Sequence, residues 1–241
     1  MCSLDVIRNG KPYSGSGVLI GPRQVLTAAH VIYDKRGKRS DSICVTPARN
    51  RSYRPFGQFK GVAYSTRRDY RPDGEFDLAM ITLDRDASKV RAKGHGGVRL
   101  GYWGEAHQTD LRPLKPLFLK DKCVTVCGYP IDKCDGKRHD PIKGCSKGRL
   151  GNTMWAHREQ ARFTDERPGF MHYAADTWGG QSGGPVWITR TDGRRSLVGV
   201  HIGSEQLEDE TTGKRTPPIN IGVHLNEENF ALVQSWFWLG R

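Results

Sequence analysis

Three polar side chains stand in settings suited to acyl-transfer chemistry. Ser182 lies within Gly179-Gly180-Gln181-Ser182-Gly183-Gly184-Pro185-Val186. Glycines on both sides permit a tight turn, because a missing Cβ opens positive φ and lets other groups approach the backbone closely. Such a turn can aim several N–H groups at one point, as a developing oxyanion requires. His30 ends the run Val25-Leu26-Thr27-Ala28-Ala29, and Asp77 enters the apolar run Leu78-Ala79-Met80-Ile81-Thr82-Leu83. A serine hydroxyl is a weak nucleophile until a base takes its proton. Imidazole titrates near neutrality, so it can take that proton and later pass it to a leaving amine. A carboxylate on the far ring nitrogen would stabilise the imidazolium, and His-Asp-Ser is one of the chain orders in which such triads occur. Asp77 is preferred over Asp69, Asp73, Asp84 and Asp86. A carboxylate entering an apolar run is costly unless a partner satisfies it, whereas those four lie in polar, turn-like stretches.

The segments Thr27-Ala28-Ala29-His30, Phe76-Asp77-Leu78-Ala79 and Gly180-Gln181-Ser182-Gly183-Gly184-Pro185 resemble those of the chymotrypsin-like, or trypsin-fold, serine endopeptidases. Val124–Pro130, Asp176–Ser182 and Val198–Gly203 narrow the resemblance to the bacterial V8-like branch, the glutamyl endopeptidases. The resemblance runs from about Ser14 to about Phe237. It implies an endopeptidase that acts on protein or peptide substrates through an acyl-enzyme and needs no cofactor or metal. The N–H groups of Gly180 and Ser182 would form the oxyanion hole. Asp176 and Thr177 would line the S1 pocket, with His201 reaching it from the following strand. Thr177 and His201 together resemble a glutamate-specific pocket, since both can donate to a carboxylate. Asp176 leaves open the alternative of Arg or Lys at P1. Ile202, Gly203 and Ser204 would pair with the substrate backbone as an added strand, and Tyr13, Trp103 and Trp178 would border subsites. Gln181 stands where trypsin-like enzymes carry the aspartate that captures a freed N-terminal amine, so activation of that kind is not expected. A catalytically inactive binding module on the same fold is the second alternative.

The resemblance implies an all-β frame that brings the three residues together: two six-stranded antiparallel β-barrels with a C-terminal α-helix. Short apolar runs separated by turn clusters support this. Leu4–Arg8, Gly17–Ile20, Gln24–Thr27, Ser42–Pro47, Val62–Ser65 and Leu78–Leu83 read as a first barrel, with a helical turn over Ala28–Val31 carrying His30. Lys122–Tyr129, Gly148–Met154, Met171–Ala174, Gly184–Thr189, Leu197–Ile202 and Ile219–His224 read as a second. A basic connection, about Ala87–Pro116, divides the chain into residues 1–115, with His30 and Asp77, and 116–241, with Ser182 and the S1 pocket. Asn226 followed by two glutamates is a helix start. The apolar face of Phe230, Val233 and Phe237 predicts a helix docked on the second barrel. The polar loops Asp132–Lys147 and Ser204–Pro218 read as insertions.

The length of 241 residues suffices for this frame. A net charge of +12 attracts polyanions and acidic substrates. The basic residues are scattered and no nucleic-acid-binding motif accompanies them, so no specific nucleic-acid partner is expected. No apolar stretch is long enough to span a bilayer, and no membrane partner is expected. Met1-Cys2-Ser3-Leu4-Asp5 lacks the signature of a secretory signal, which gives the expectation of a cytoplasmic protein or a trimmed secreted form. A regulatory partner or further domain is left open. Of the six cysteines, Cys123 and Cys127 share a strand face and read as packed thiols. Cys134 and Cys145 flank a loop with His139; a bridge there is conceivable, and a zinc site less so, because tight ligand pairs are missing.

Overall fold

The computed structural model describes all residues except 69, 71–75, 95, 107, 120–121, 133–151, 163–168, 207–214, 216 and 240–241. The first closed barrel is built from β1 (Cys2–Arg8), β2 (Lys11–Leu19), β3 (Gln24–Thr27), β4 (Ser42–Pro47), β5 (Phe59–Thr66) and β6 (Ala79–Leu83). Its strand order is β1-β2-β3-β6-β5-β4, and a four-residue helix, α1 (Ala29–Ile32), interrupts the run between β3 and β4. Period-two alternation drives closure: β1 turns Cys2, Leu4 and Val6 into the core beside Val25, Val45, Phe59 and Ile81.

The connection contributes β7 (Thr109–Asp110) and α2 (Pro116–Leu119). The second sheet then uses β8 (Cys123–Gly128), β9 (Trp155–Arg162), β10 (Phe170–Tyr173), β11 (Pro185–Thr189), β12 (Arg195–Glu205) and β13 (Ile219–His224). Its order is β11-β8-β9-β10-β13-β12, closed by β11–β12 pairing, with β7 added parallel to β12. The expected architecture of two antiparallel barrels and a C-terminal helix is what the chain adopts.

Three expectations change in detail. The strand expected at Gly148–Met154 is β9, a few residues later; residues 148–151 lie outside those described, and Thr153 makes only an isolated bridge to Asn50. Its sequence, Trp155-Ala-His-Arg-Glu-Gln-Ala-Arg162, has apolar residues only at positions 155, 156 and 161 and is mostly exposed, so no apolar alternation marks it. The C-terminal helix, α3 (Glu227–Leu239), begins at Asn226, whose Oδ1 accepts the Asn229 N–H at 2.9 Å. It does not dock on the second barrel alone. Its buried Val233 and Trp236 join an apolar cluster of Val18, Ile20, Leu26, Leu78 and Met80 from the first barrel and Phe170, Leu197, Val200 and Val223 from the second. That cluster is the seam between the barrels. Finally, Cys2, Cys44, Cys123 and Cys127 are free thiols, and Cys123 is exposed rather than packed. Cys134, His139 and Cys145 lie outside the described residues. Among the described residues no helix is long and apolar enough to cross a membrane, and no cluster of His, Cys, Asp and Glu is arranged to hold a metal ion.

Candidate active site

Strand register brings the first two residues together. β3 and β6 are antiparallel with Thr27 opposite Ala79, so the chain leaving β3 runs beside the chain entering β6. His30, three residues beyond Thr27, therefore meets Asp77, two residues before Ala79. The Asp77 carboxylate is buried and uses both oxygens on this one residue. Oδ1 accepts the His30 backbone N–H at 2.9 Å, and Oδ2 lies 2.6 Å from His30 Nδ1. That arrangement fixes both the ring and the turn that carries it. Ala29, Val31 and Ile32 are buried, so α1 is anchored by three sides and offers only His30 to solvent, with about a third of its side chain exposed. Arg8, which the motif reading did not single out, donates to the otherwise orphaned His30 and Val31 carbonyls at 2.9 and 2.8 Å. The rival acids are engaged elsewhere: Asp84 Oδ1 accepts the Lys60 N–H across the β5–β6 end, and Asp86 Oδ1 accepts the Ser88 N–H in a local turn; Asp69 and Asp73 lie outside the described residues.

The Ser182 turn is pressed against this assembly. Gly183 has φ +85°, and a Cβ there would lie 2.0 Å from Thr27 Oγ1, 2.2 Å from the Ser16 carbonyl oxygen and 3.0 Å from the Ala28 nitrogen. Only glycine lets the Ser182 loop reach the strand that leads into His30. Ser16 of β2 completes the junction. Its N–H donates to the Ser182 carbonyl and its hydroxyl to the Gly180 carbonyl, both at 2.8 Å. Gly180 adopts φ +93°. Among the described residues the N–H groups of Gly180 and Ser182 have no acceptor, the condition for an oxyanion hole. The Ser182 hydroxyl likewise has no hydrogen-bond partner among them. In unliganded enzymes the nucleophile–base contact is commonly long and tightens when substrate arrives. Gln181 is buried and folds its Oε1 onto the Trp178 N–H at 2.7 Å, closing its own turn.

On the S1 side, His201 is almost fully buried and its Nδ1 lies 2.9 Å from the Tyr173 hydroxyl. Burial first, and the nearby His30 second, depress its pKa to about 3 against a weak opposing pull from the Ile221 carbonyl. His201 is therefore a neutral imidazole at working pH. Burial holds the Tyr173 phenol far above its usual range, so it remains a donor. Thr177 Oγ1 bonds Asn220 of β13, whose amide reaches back to the Ala175 carbonyl, so one residue ties the 175–177 segment to the sheet. Asp176 is exposed and, together with Thr177, lines a cleft with Pro130, Trp155, His157 and Trp178. Beyond His201, β12 has a strand partner on one side only among the described residues, which leaves Ile202, Gly203 and Ser204 on an open edge. Tyr13 is exposed beneath the guanidinium of Arg8, close to α1. Trp103 instead packs on Trp187 and donates Nε1–H to the Asp110 carbonyl, a structural role in the inter-barrel cluster.

The trypsin-like peptidase domain family matches residues 15–200. This chain belongs to that family. It is 30% identical over 234 residues to a glutamyl endopeptidase of Bacillus licheniformis, covering 92% of this chain and 59% of that protein. It is 24% identical over 226 residues to a Bacillus subtilis protein named extracellular metalloprotease, covering 93% and 58%. The chain thus spans less than two thirds of the length of these curated relatives. A solved Glu endopeptidase superposes with TM-score 0.68 at 20% identity, covering 97% of this chain and 89% of that one. The protease Anisep from Arthrobacter nicotinovorans does so at 0.66 and 15%, covering 97% and 92%. At such identities these two structures establish the trypsin-like fold. Within this peptidase domain, the residues that motif reading missed are Ser16, Arg8, Tyr173 and Asn220. Each is an ordinary strand residue whose role comes from its three-dimensional neighbours.

Proposed function

We propose that this chain is a serine endopeptidase domain that hydrolyses peptide bonds on the carboxyl side of glutamate. Ser182 attacks the scissile carbonyl while His30 takes its proton through Nε2. Asp77 stabilises the imidazolium from Nδ1, and the Gly180 and Ser182 N–H groups receive the oxyanion. His30 then protonates the departing amine; water, activated by the same imidazole, releases the acyl group. The observation that carries this reading is the buried Asp77 carboxylate, which spends both oxygens on His30 directly beside the serine turn.

The glutamate preference rests on His201; Thr177, expected to share that role, gives its one hydroxyl proton to Asn220 Oδ1. A phenol that donates to Nδ1 leaves the proton of a neutral imidazole on Nε2, a fixed donor for a carboxylate. A peptide panel differing only at P1 tests this. Glutamate is expected to be cleaved best, and His201→Ala to lower cleavage after glutamate by about 10–100-fold, the worth of a hydrogen bond to a charged group, with little change at other P1 residues. Preference for arginine would make Asp176 the determinant, and equal loss at all P1 residues would reduce His201 to packing.

A further inference from the structure

Ser16 sits in the middle of β2, in the first barrel, and is fully buried. All its polar groups work across the junction or toward His30. Its N–H donates to the Ser182 carbonyl at 2.8 Å, and its hydroxyl donates to the Gly180 carbonyl at 2.8 Å and accepts the Tyr129 N–H at 2.9 Å. Its carbonyl accepts the Thr27 hydroxyl at 2.7 Å, three residues before His30. A hydroxyl carries one proton. Here it is committed to Gly180, and the Tyr129 contact fixes the direction in which it points.

Gly180 is the residue that most needs such a restraint. At φ +93° it has no Cβ to limit rotation, and its N–H is one of the two oxyanion donors in the reading above, on which this inference rests. We propose that the Ser16 hydroxyl is a positioning group for the oxyanion hole: the Ile131 N–H holds the Gly179 carbonyl at 2.8 Å, in the peptide plane that carries the Gly180 N–H, and the Ser16 hydroxyl holds the Gly180 carbonyl in the next plane, so the two grips on either side of Gly180 keep its N–H aimed at the tetrahedral oxygen. Pre-aimed donors are worth more than donors that must reorganise during reaction. Without the hydroxyl, the Gly180 carbonyl and Tyr129 N–H both lose a partner in a buried place, and rotation of the turn becomes the relief.

The test uses Ser16→Ala in the full chain. It compares kcat, KM and the affinity of a peptide boronate that forms a tetrahedral adduct on Ser182. The expected result is a kcat lower by roughly 10–100-fold, short of deleting a whole oxyanion donor. KM should stay near wild type, and boronate affinity should fall by a similar factor. Unchanged kcat and boronate affinity, with only a lower melting temperature, would overturn the proposal in favour of a purely structural serine. Ser16→Cys, which keeps the shape of the side chain but replaces the hydroxyl by a weak donor, should produce a smaller loss of kcat with KM preserved. If Ser16→Ala does not fold, the cysteine variant decides, and wild-type kcat in it overturns the proposal. A wild-type protein that fails to bind the boronate would refute the triad reading instead.

Discussion

At the scale of single residues, the site depends on where polar groups are buried. Asp77 is tolerable in its apolar surroundings because His30 occupies both of its oxygens. His201 is the opposite case, a buried base kept neutral. Its folded pKa of about 3 lies below the ordinary value of 6.5. The unfolded chain therefore binds an extra proton between those values. The stability that His201 contributes is complete above pH 6.5 and is lost as pH falls toward 3. Between pH 6.5 and 5, where most carboxylates are still ionised, the wild type should lose on the order of 1–2 kcal/mol more than His201→Gln. Denaturant titrations at the two pH values measure this, and parallel losses in both proteins would contradict it. His30, Asp77 and Ser182 were legible in the sequence because each sits in a distinctive local pattern. Ser16 and Tyr173 were not: a serine between glycines and a tyrosine at a strand end acquire their roles only when Gly180 and His201 arrive from elsewhere in the chain.

At the scale of elements, most strands announced themselves through apolar runs, and β9 did not, because its polar residues give the alternation no contrast. The existence of α3 was legible from its cap and apolar face, but an apolar face does not name its partner. The helix closes the seam: Trp236 and Val233 pack with residues of both barrels, and Glu228 reaches Arg67 of the first at 3.7 Å. Trp236→Ala should therefore cost about 3–5 kcal/mol of global stability, the usual range for emptying a buried tryptophan site. Equilibrium denaturation checks this. A loss below about 1 kcal/mol would mean that α3 is peripheral to the seam.

At the scale of the molecule, neither barrel alone holds the proposed site. The first supplies His30, Asp77 and the Ser16 brace; the second supplies Ser182, the Gly180 turn and the His201 pocket. The net charge of +12 favours the approach of acidic segments, in keeping with the proposed glutamate preference. Reaction with a fluorophosphonate probe tests the shared centre most directly, since it reports a serine activated by an imidazole. A single adduct on Ser182 is expected, absent in Ser182→Ala and slowed by at least about a thousandfold in His30→Ala. A folded wild-type protein that never labels, or a His30→Ala variant that labels at the wild-type rate, would contradict the account.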